Sequence, residues 1–168
     1  MAITVAPNPV NLRWSHFSPV ASLPGEDAHI DINFNIPNRP FRRVGGQFMM
    51  AETFQIGVSP VARVVRGASQ TAELLSHEQG HYDLGILVAW AMARDFMQLQ
   101  AASPGALATA ITNCFNQHKN TRMRPIQQKY DRDTNHSRNR QQQQRWDRLI
   151  SQCMSATPRC ARIENLPF

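Results

Sequence analysis

The stretch SHEQGH, residues 76–81, has two histidines four positions apart, with a glutamate directly after the first. On a helix, His77 and His81 project from one face, so both imidazoles can bind a single ion. Glu78 lies where its carboxylate can reach a water molecule on that ion. Zinc lowers the pKa of such a water towards roughly 7, and the glutamate takes the proton as hydroxide attacks a carbonyl. This His-Glu-x-x-His pattern predicts hydrolysis, with Glu78 as general base and then general acid.

The alternative is that these are ordinary helix residues, because a pattern with three fixed positions also arises by chance. The context favours the metal site. From about Thr71 the apolar residues recur at helical spacing and cover most of the girth, which predicts a mostly buried helix. Gly80 and Gly85 each cost about 1 kcal/mol there relative to alanine, so something is expected to approach the backbone closely at both positions.

A catalytic zinc ion usually has three protein ligands and keeps a fourth position for water. The other histidines are His16, His29, His118 and His136. No apolar side chain occurs from 135 to 145, in a predicted third helix from Pro125 to about Met154. This stretch either bulges into solvent or lines a polar cleft. A cleft would hold His136 as third ligand, with Asp131, Asp133 and Thr134 orienting the ligands. Asp131 and Asp133 remain alternatives for the third ligand.

The chain is predicted to form one domain, 1–168, with a strand-rich part (1–65), a helical part (70–154) and an irregular tail (155–168). Strands are expected at 29–36 and 48–58, and residues 61–65 are either a strand or a lead-in loop. The strand at 48–58 is a candidate to bind an extended peptide by edge pairing. The first helix ends at the Ser-Pro-Gly of 103–105, and a second runs from about Ala106 to His118.

Composition restricts the partners. Eighteen Lys and Arg against twelve Asp and Glu give a net charge of +6, which favours an acidic partner or nucleic acid. Three cysteines are too few for a disulfide framework, and whether Cys153 and Cys160 pair is open. No segment has the apolar length of a membrane helix, and prolines interrupt the start, so no signal peptide is predicted.

Two motifs together resemble a bacterial family assigned as secreted zinc-dependent proteases, domain of unknown function family nine-two-two. LLSHEQGHYDLG (74–85) is similar to its His-Glu-Gln-x-His-Phe-Asp helix. YDRDTNHSRNRQQQQRWD (130–147) is similar to its Tyr-Asp-x-x-Thr-x-His-Gly element followed by Gln and Trp. With LRWSHF at 12–17, the resemblance spans 12–147. Tyr82 stands where phenylalanine is usual, and Ser137 where glycine is usual.

The resemblance implies metal ligation by His77 and His81, catalysis by Glu78, and functional places for the residues listed next: Tyr130, Asp131, Thr134 and His136. It also implies a secreted or periplasmic location. The expected fold is α+β and zincin-like, with a small N-terminal antiparallel sheet packed on the active-site helix and two further long helices. The expected cofactor is one Zn²⁺ per chain, and the expected substrate is a protein or peptide.

Tyr130 is a candidate donor to the developing oxyanion, although a packed aromatic with a satisfied hydroxyl fits the sequence as well. Two other functions stay open. One is a metal-binding protein without turnover. The other is a basic nucleic-acid-binding module that uses arginines of the third helix, with a structural metal. Acidic residues flank that patch and no aromatic residues interleave it, which argues against the second.

Overall fold

The computed structural model describes residues 2–36 and 41–168, which fold as an α+β protein. The strands are β1 (Ala2–Pro7), β2 (Phe17–Val20), β3 (Ala28–Asn35), β4 (Phe41–Val44), β5 (Gln47–Met50), β6 (Thr53–Val65), β7 (Gln100–Ala101), β8 (Arg162–Ile163) and β9 (Leu166–Pro167). The α-helices are α1 (Ala72–Phe96), α2 (Pro104–Asn116), α3 (Arg124–Thr134) and α4 (Arg140–Ser155). A 3₁₀ turn spans Trp14–His16, and a π-helix spans Gln117–Met123.

The main sheet is mixed, not antiparallel as predicted. The long strand β6 pairs along one side with β1 and then β2, both parallel to it, and along the other side with β3, antiparallel. Alternation of apolar residues reports which face a strand buries, but it carries no information on strand direction. Pro60 lies between the β1-paired and β2-paired segments of β6, so its missing N–H interrupts no pairing with either strand.

The predicted strand at 48–58 is two strands. β5 belongs to a second, three-stranded antiparallel sheet in the order β4–β5–β7, whereas β6 is the centre of the main sheet. Residues 61–65 continue β6 and are not a loop. β5 is paired with β4 and β7, and β6 is paired with both β1 and β3 at Gly57 and Val58, so these parts of 48–58 have no free edge. Peptide binding by edge pairing stays a prediction for 53–56, where β6 pairs with β1 alone among the described strands. The antiparallel edge strand of the main sheet is β3.

Helix α1 lies between the main sheet and the later helices, and 15 of its 25 residues are buried, as predicted. Side chains of neighbouring elements approach the helix backbone closely at its two glycines. A Cβ on Gly85 would lie 2.3 Å from Ile32 Cδ1 of β3, and one on Gly80 would lie 2.2 Å from the Tyr130 hydroxyl of α3. The expectation of close contact at both glycines is confirmed. They let β3 and α3 reach opposite sides of the same helix.

The predicted third helix is broken. The chain is helical from Pro104 through the π-helix to Thr134, then turns, and α4 begins at Arg140. Asn135, His136 and Ser137 all have positive φ (49°, 49° and 72°), so a left-handed turn separates α3 from α4. None of these residues is glycine, and Asn135, which caps α3 in the left-handed conformation, is the one stop signal that the sequence carries here.

The tail is less irregular than predicted. Cys153 of α4 and Cys160 form a disulfide, and β8 and β9 form a small hairpin. Phe168 is 1% exposed and packs in the cluster between α1, α3 and α4. Among the described helices, none is long and apolar enough to cross a membrane.

Candidate metal centre

Three side chains from two helices converge on one point. Nε2 of His77 and Nε2 of His81 are 3.2 Å apart, and Asp131 Oδ1 lies 3.2 Å from the first and 2.8 Å from the second. The histidines come from successive turns of α1, and the aspartate comes from α3. One metal ion could therefore contact all three donor atoms.

These separations fit a tetrahedral ion. Two ligand atoms at about 2.0–2.1 Å from zinc are about 3.3 Å from each other. The two imidazole nitrogens are 3.2 Å apart, and a carboxylate oxygen completes a two-His, one-carboxylate set, a donor combination known from catalytic zinc sites. The residues present therefore fit such an ion, with Asp131 as the candidate third ligand.

Two glutamines orient the imidazoles. Gln143 Oε1 lies 3.1 Å from His77 Nδ1, and its Nε2 donates to Tyr130 Oη (2.6 Å) and Asp147 Oδ1 (2.8 Å). Gln127 Oε1 contacts His81 Nδ1 while its Nε2 donates to the His81 carbonyl. Because an amide oxygen can only accept a hydrogen bond, each Nδ1 carries the hydrogen and donates it to the glutamine, which leaves the Nε2 lone pairs free for a metal.

The charges of the triad are arranged for a cation. Burial lowers the pKa of His77 and so favours the neutral imidazole that ligates metals. Burial also disfavours charge on Asp131 and His81, but the attraction between the two groups outweighs this effect. That attraction holds the pKa of Asp131 well below its usual range and raises the pKa of His81 to about 9. Without metal, a proton therefore occupies the His81 nitrogen that an ion would take, so metal binding must release it.

Glu78 is buried at 2% exposure, and its Oε2 has no hydrogen-bond partner among the described residues. Burial raises its pKa to about 7. A buried carboxyl with an unused oxygen is costly for folding alone. It is well matched to proton transfer near neutral pH, because a general base works best when its pKa lies close to the working pH.

Tyr130 and Thr134 support the triad from behind. The Tyr130 ring stacks on His77 with centroids 4.8 Å apart, and its hydroxyl donates to the His77 carbonyl (3.2 Å) and accepts from Gln143. Thr134 is fully buried and donates to the Tyr130 carbonyl at 2.7 Å. Because the tyrosine hydroxyl is used and shielded from solvent, the geometry favours the packed-aromatic interpretation over the oxyanion donor.

His136 lies beside the triad and not within it. Its Nδ1 is 3.4 Å from Asp131 Oδ1 and 3.9 Å from Glu26 Oε2, and its side chain is 39% exposed. Asp133 accepts from Lys129 and from Trp146 Nε1, contacts that tie it to the helix surface and to α4. The predicted cleft is thus present, with His136 on its wall.

Two clefts flank the triad along β3. The first, of about 170 Å³, is lined by Glu26–Ala28 and 136–138 as well as His77 and Glu78. The second, of about 340 Å³, is lined by 29–32, His81 and the 123–131 face. No described strand pairs with the outer edge of β3, so its backbone groups are free beside the triad.

Sequence reasoning missed the two orienting glutamines and Glu26. Gln143 belongs to QQQQ, a run that suggested only low complexity, yet it is buried at 7% exposure. Its spacing from Trp146 and Ile150, both buried on α4, was the available signal that it faces inward.

A second group of possible ligands, Asp95, Cys114 and His118, lies between α1 and the π-helix. Arg122 Nη1 is 2.9 Å from Asp95 Oδ2 and 3.3 Å from His118 Nε2. Because a guanidinium already neutralises this carboxylate, the group does not need a metal ion.

Comparisons of the chain with protein-family models, curated proteins and solved structures found no match. The resemblance to the zinc-dependent protease family therefore depends on the sequence motifs alone.

Proposed function

We propose that this protein is a zinc-dependent peptidase in which His77, His81 and Asp131 hold the ion and Glu78 is the general base. The observation that carries the proposal is the pairing of a compact, pre-oriented donor triad with a buried carboxylate that has no structural partner. A purely structural ion would account for the triad, but it would not account for Glu78, whose burial is unfavourable unless the group has a chemical role.

Zinc at the triad would supply polarisation of a scissile carbonyl and an acidified water. Glu78 accepts the water proton at Oε2 and then delivers it to the departing amine nitrogen. Asp131 balances the positive charge of the site, while Gln143 and Gln127 keep the imidazoles in the ligating tautomer. His77 and His81 are buried, and the low dielectric around them strengthens each of these electrostatic interactions.

A peptide substrate is supported by the free edge of β3. This strand passes the triad and lines both clefts, so an extended chain that hydrogen-bonds to it would carry its backbone across the donor atoms. Main-chain pairing binds peptides with little dependence on sequence, whereas a small rigid substrate would leave most of the two clefts unused.

The test is substitution Glu78→Gln, measured by zinc content and by cleavage of an unfolded, fluorescently labelled protein. Glu73→Gln is the matched control, because Glu73 is an exposed carboxylate on the same helix. We expect both variants to keep one zinc ion, with cleavage reduced at least about 100-fold only in Glu78→Gln.

Undiminished cleavage by Glu78→Gln would refute the proposed base. Bound zinc with no cleavage by the wild type, across unfolded proteins and peptides, would indicate a metal-binding protein without turnover.

A further inference from the structure

Asp147 of α4 is connected to the candidate metal centre through one intermediate side chain. Its Oδ1 accepts from Gln143 Nε2 at 2.8 Å, and Oε1 of the same amide lies 3.1 Å from His77 Nδ1. Asp147 itself lines a separate cleft of about 440 Å³ whose lining residues include no member of the triad. We propose that Asp147 is a positioning residue of the metal centre, because it fixes the amide of Gln143 so that His77 presents Nε2 to the ion.

The hydrogen bonds of Gln143 permit only one orientation of its amide. Both hydrogens of its Nε2 have an acceptor, Asp147 Oδ1 at 2.8 Å and Tyr130 Oη at 2.6 Å. The Tyr130 hydroxyl gives its own hydrogen to the His77 carbonyl, so its oxygen is left to accept. A reversed amide would place its oxygen against an ionised carboxylate, which has no hydrogen to donate. Asp147 therefore determines which end of the amide faces His77.

The orientation matters because His77 has a competing acceptor at its other ring nitrogen. Asp131 Oδ1 lies 3.2 Å from Nε2, and without metal it favours the tautomer that carries the hydrogen there. That tautomer has no lone pair at Nε2 and cannot bind an ion through it. Gln143 favours the opposite tautomer, since its oxygen accepts from Nδ1. Thr134 Oγ1, the other acceptor near Nδ1, is more distant at 3.4 Å.

His81 does not depend on a remote carboxylate in this way. Gln127 Nε2 donates to the His81 carbonyl at 2.9 Å, so the backbone of the ligand itself fixes that amide. The relay Asp147–Gln143–His77 thus orients one imidazole of the two. Loss of Asp147 should alter the ring of His77 and leave that of His81 unchanged.

The experiment measures the zinc affinity of the full chain by competition with a chelating dye. The proteins are the wild type, Asp147→Ala, Gln143→Ala and the double variant. We expect Asp147→Ala to lower the affinity about 10-fold, near the lower end for groups that orient a metal ligand. In the Gln143→Ala background the same substitution should change it by less than about twofold, because the amide through which Asp147 acts is gone. Asp147→Asn keeps an acceptor and should bind zinc within about threefold of the wild type.

Asp83→Ala is the matched control. Asp83 is half-buried, lines the same cleft as Asp147 and also accepts from a glutamine four residues before it, Gln79 Nε2 at 2.7 Å. Gln79 bonds to Leu12 N and the Val10 carbonyl, away from the triad. We therefore expect Asp83→Ala to keep the wild-type zinc affinity. A loss equal to that of Asp147→Ala would indicate an effect of charge or packing at the cleft and would overturn the inference.

Nitrogen chemical shifts of the imidazole rings provide a measurement that needs no bound zinc. In the zinc-free wild type they should place the hydrogen of neutral His77 on Nδ1, and in Asp147→Ala they should move it at least partly to Nε2. Unchanged His77 shifts in the variant would overturn the inference. So would a loss of affinity by Asp147→Ala that persists in the Gln143→Ala background, or an Asp147→Asn variant as weak as Asp147→Ala.

This inference rests on the metal centre of the proposed function and not on peptide cleavage. A wild type that binds no zinc refutes the centre, while the ring nitrogen shifts still test the relay. Zinc binding that Asp147→Ala leaves unchanged refutes the relay alone.

Discussion

Replacement of Glu78 by glutamine should stabilise the metal-free protein at alkaline pH. The carboxyl is 2% exposed, and burial raises its pKa from 4.5 to about 7. Since each unit of pKa corresponds to about 1.4 kcal/mol, holding Glu78 ionised in the folded state costs about 3 kcal/mol. Glutamine has nearly the same shape and no charge, so it removes this penalty.

The sign follows from linkage. The folded-state pKa lies above the unfolded-state value, so the penalty is absent below about pH 4.5, grows as pH rises towards 7, and is complete above 7. The stability gained by Glu78→Gln should therefore be about 1 kcal/mol at pH 5 and about 3 kcal/mol at pH 8. Saturating zinc should reduce the gain, because a cation beside Glu78 favours the carboxylate.

Urea unfolding in the presence of a chelator, at pH 5 and pH 8, measures both values. Glu73→Gln, exposed on the same helix, should change the free energy of unfolding by less than about 0.5 kcal/mol at either pH. A gain for Glu78→Gln that is the same at pH 5 and pH 8 would refute the reasoning, because it would show that burial does not perturb this carboxyl.

Three further predictions concern zinc affinity and the stability of the fold. Gln143→Ala should lower zinc affinity about 10-fold to 100-fold without unfolding the protein, as measured by competition with a chelating dye. Gly80→Ala should destabilise the protein by about 1–3 kcal/mol, since the added Cβ would lie 2.2 Å from a buried tyrosine hydroxyl. Gly105→Ala, with open space around it, should be neutral or stabilise by up to about 1 kcal/mol in the same denaturation assay. Replacing Cys153 and Cys160 by serine opens an eight-residue loop and should cost about 2.5 kcal/mol by the same measure.

The helical part of the site was predictable because its signals are local. His77, Glu78 and His81 occupy one helix, and the apolar period around them predicts that helix and its burial. The two glycines in the helix likewise predicted close contacts, which Ile32 and Tyr130 make.

The parts that failed depend on long-range geometry. Parallel pairing of β1 and β2 with β6 leaves no mark in a single strand's pattern, and the break at 135–137 is made by residues without a glycine signal. Ser137 has φ 72°, a conformation that favours glycine, which is the residue usual at this position in the family that the motif resembles. The turn then brings His136 onto the cleft wall and makes Asp131 the candidate third ligand, a choice that ligand counting along the sequence could not make.

The most direct test of the metal centre is zinc content by elemental analysis of four proteins: wild type, Asp131→Ala, Asp133→Ala and His136→Ala. A circular dichroism spectrum of each, taken with chelator, confirms that the variant is folded. The proposed centre predicts one zinc per chain in the wild type, in Asp133→Ala and in His136→Ala, and a large loss only in Asp131→Ala. A wild type that holds no zinc after incubation with the ion, or a folded Asp131→Ala that holds as much as the wild type, would contradict the assignment.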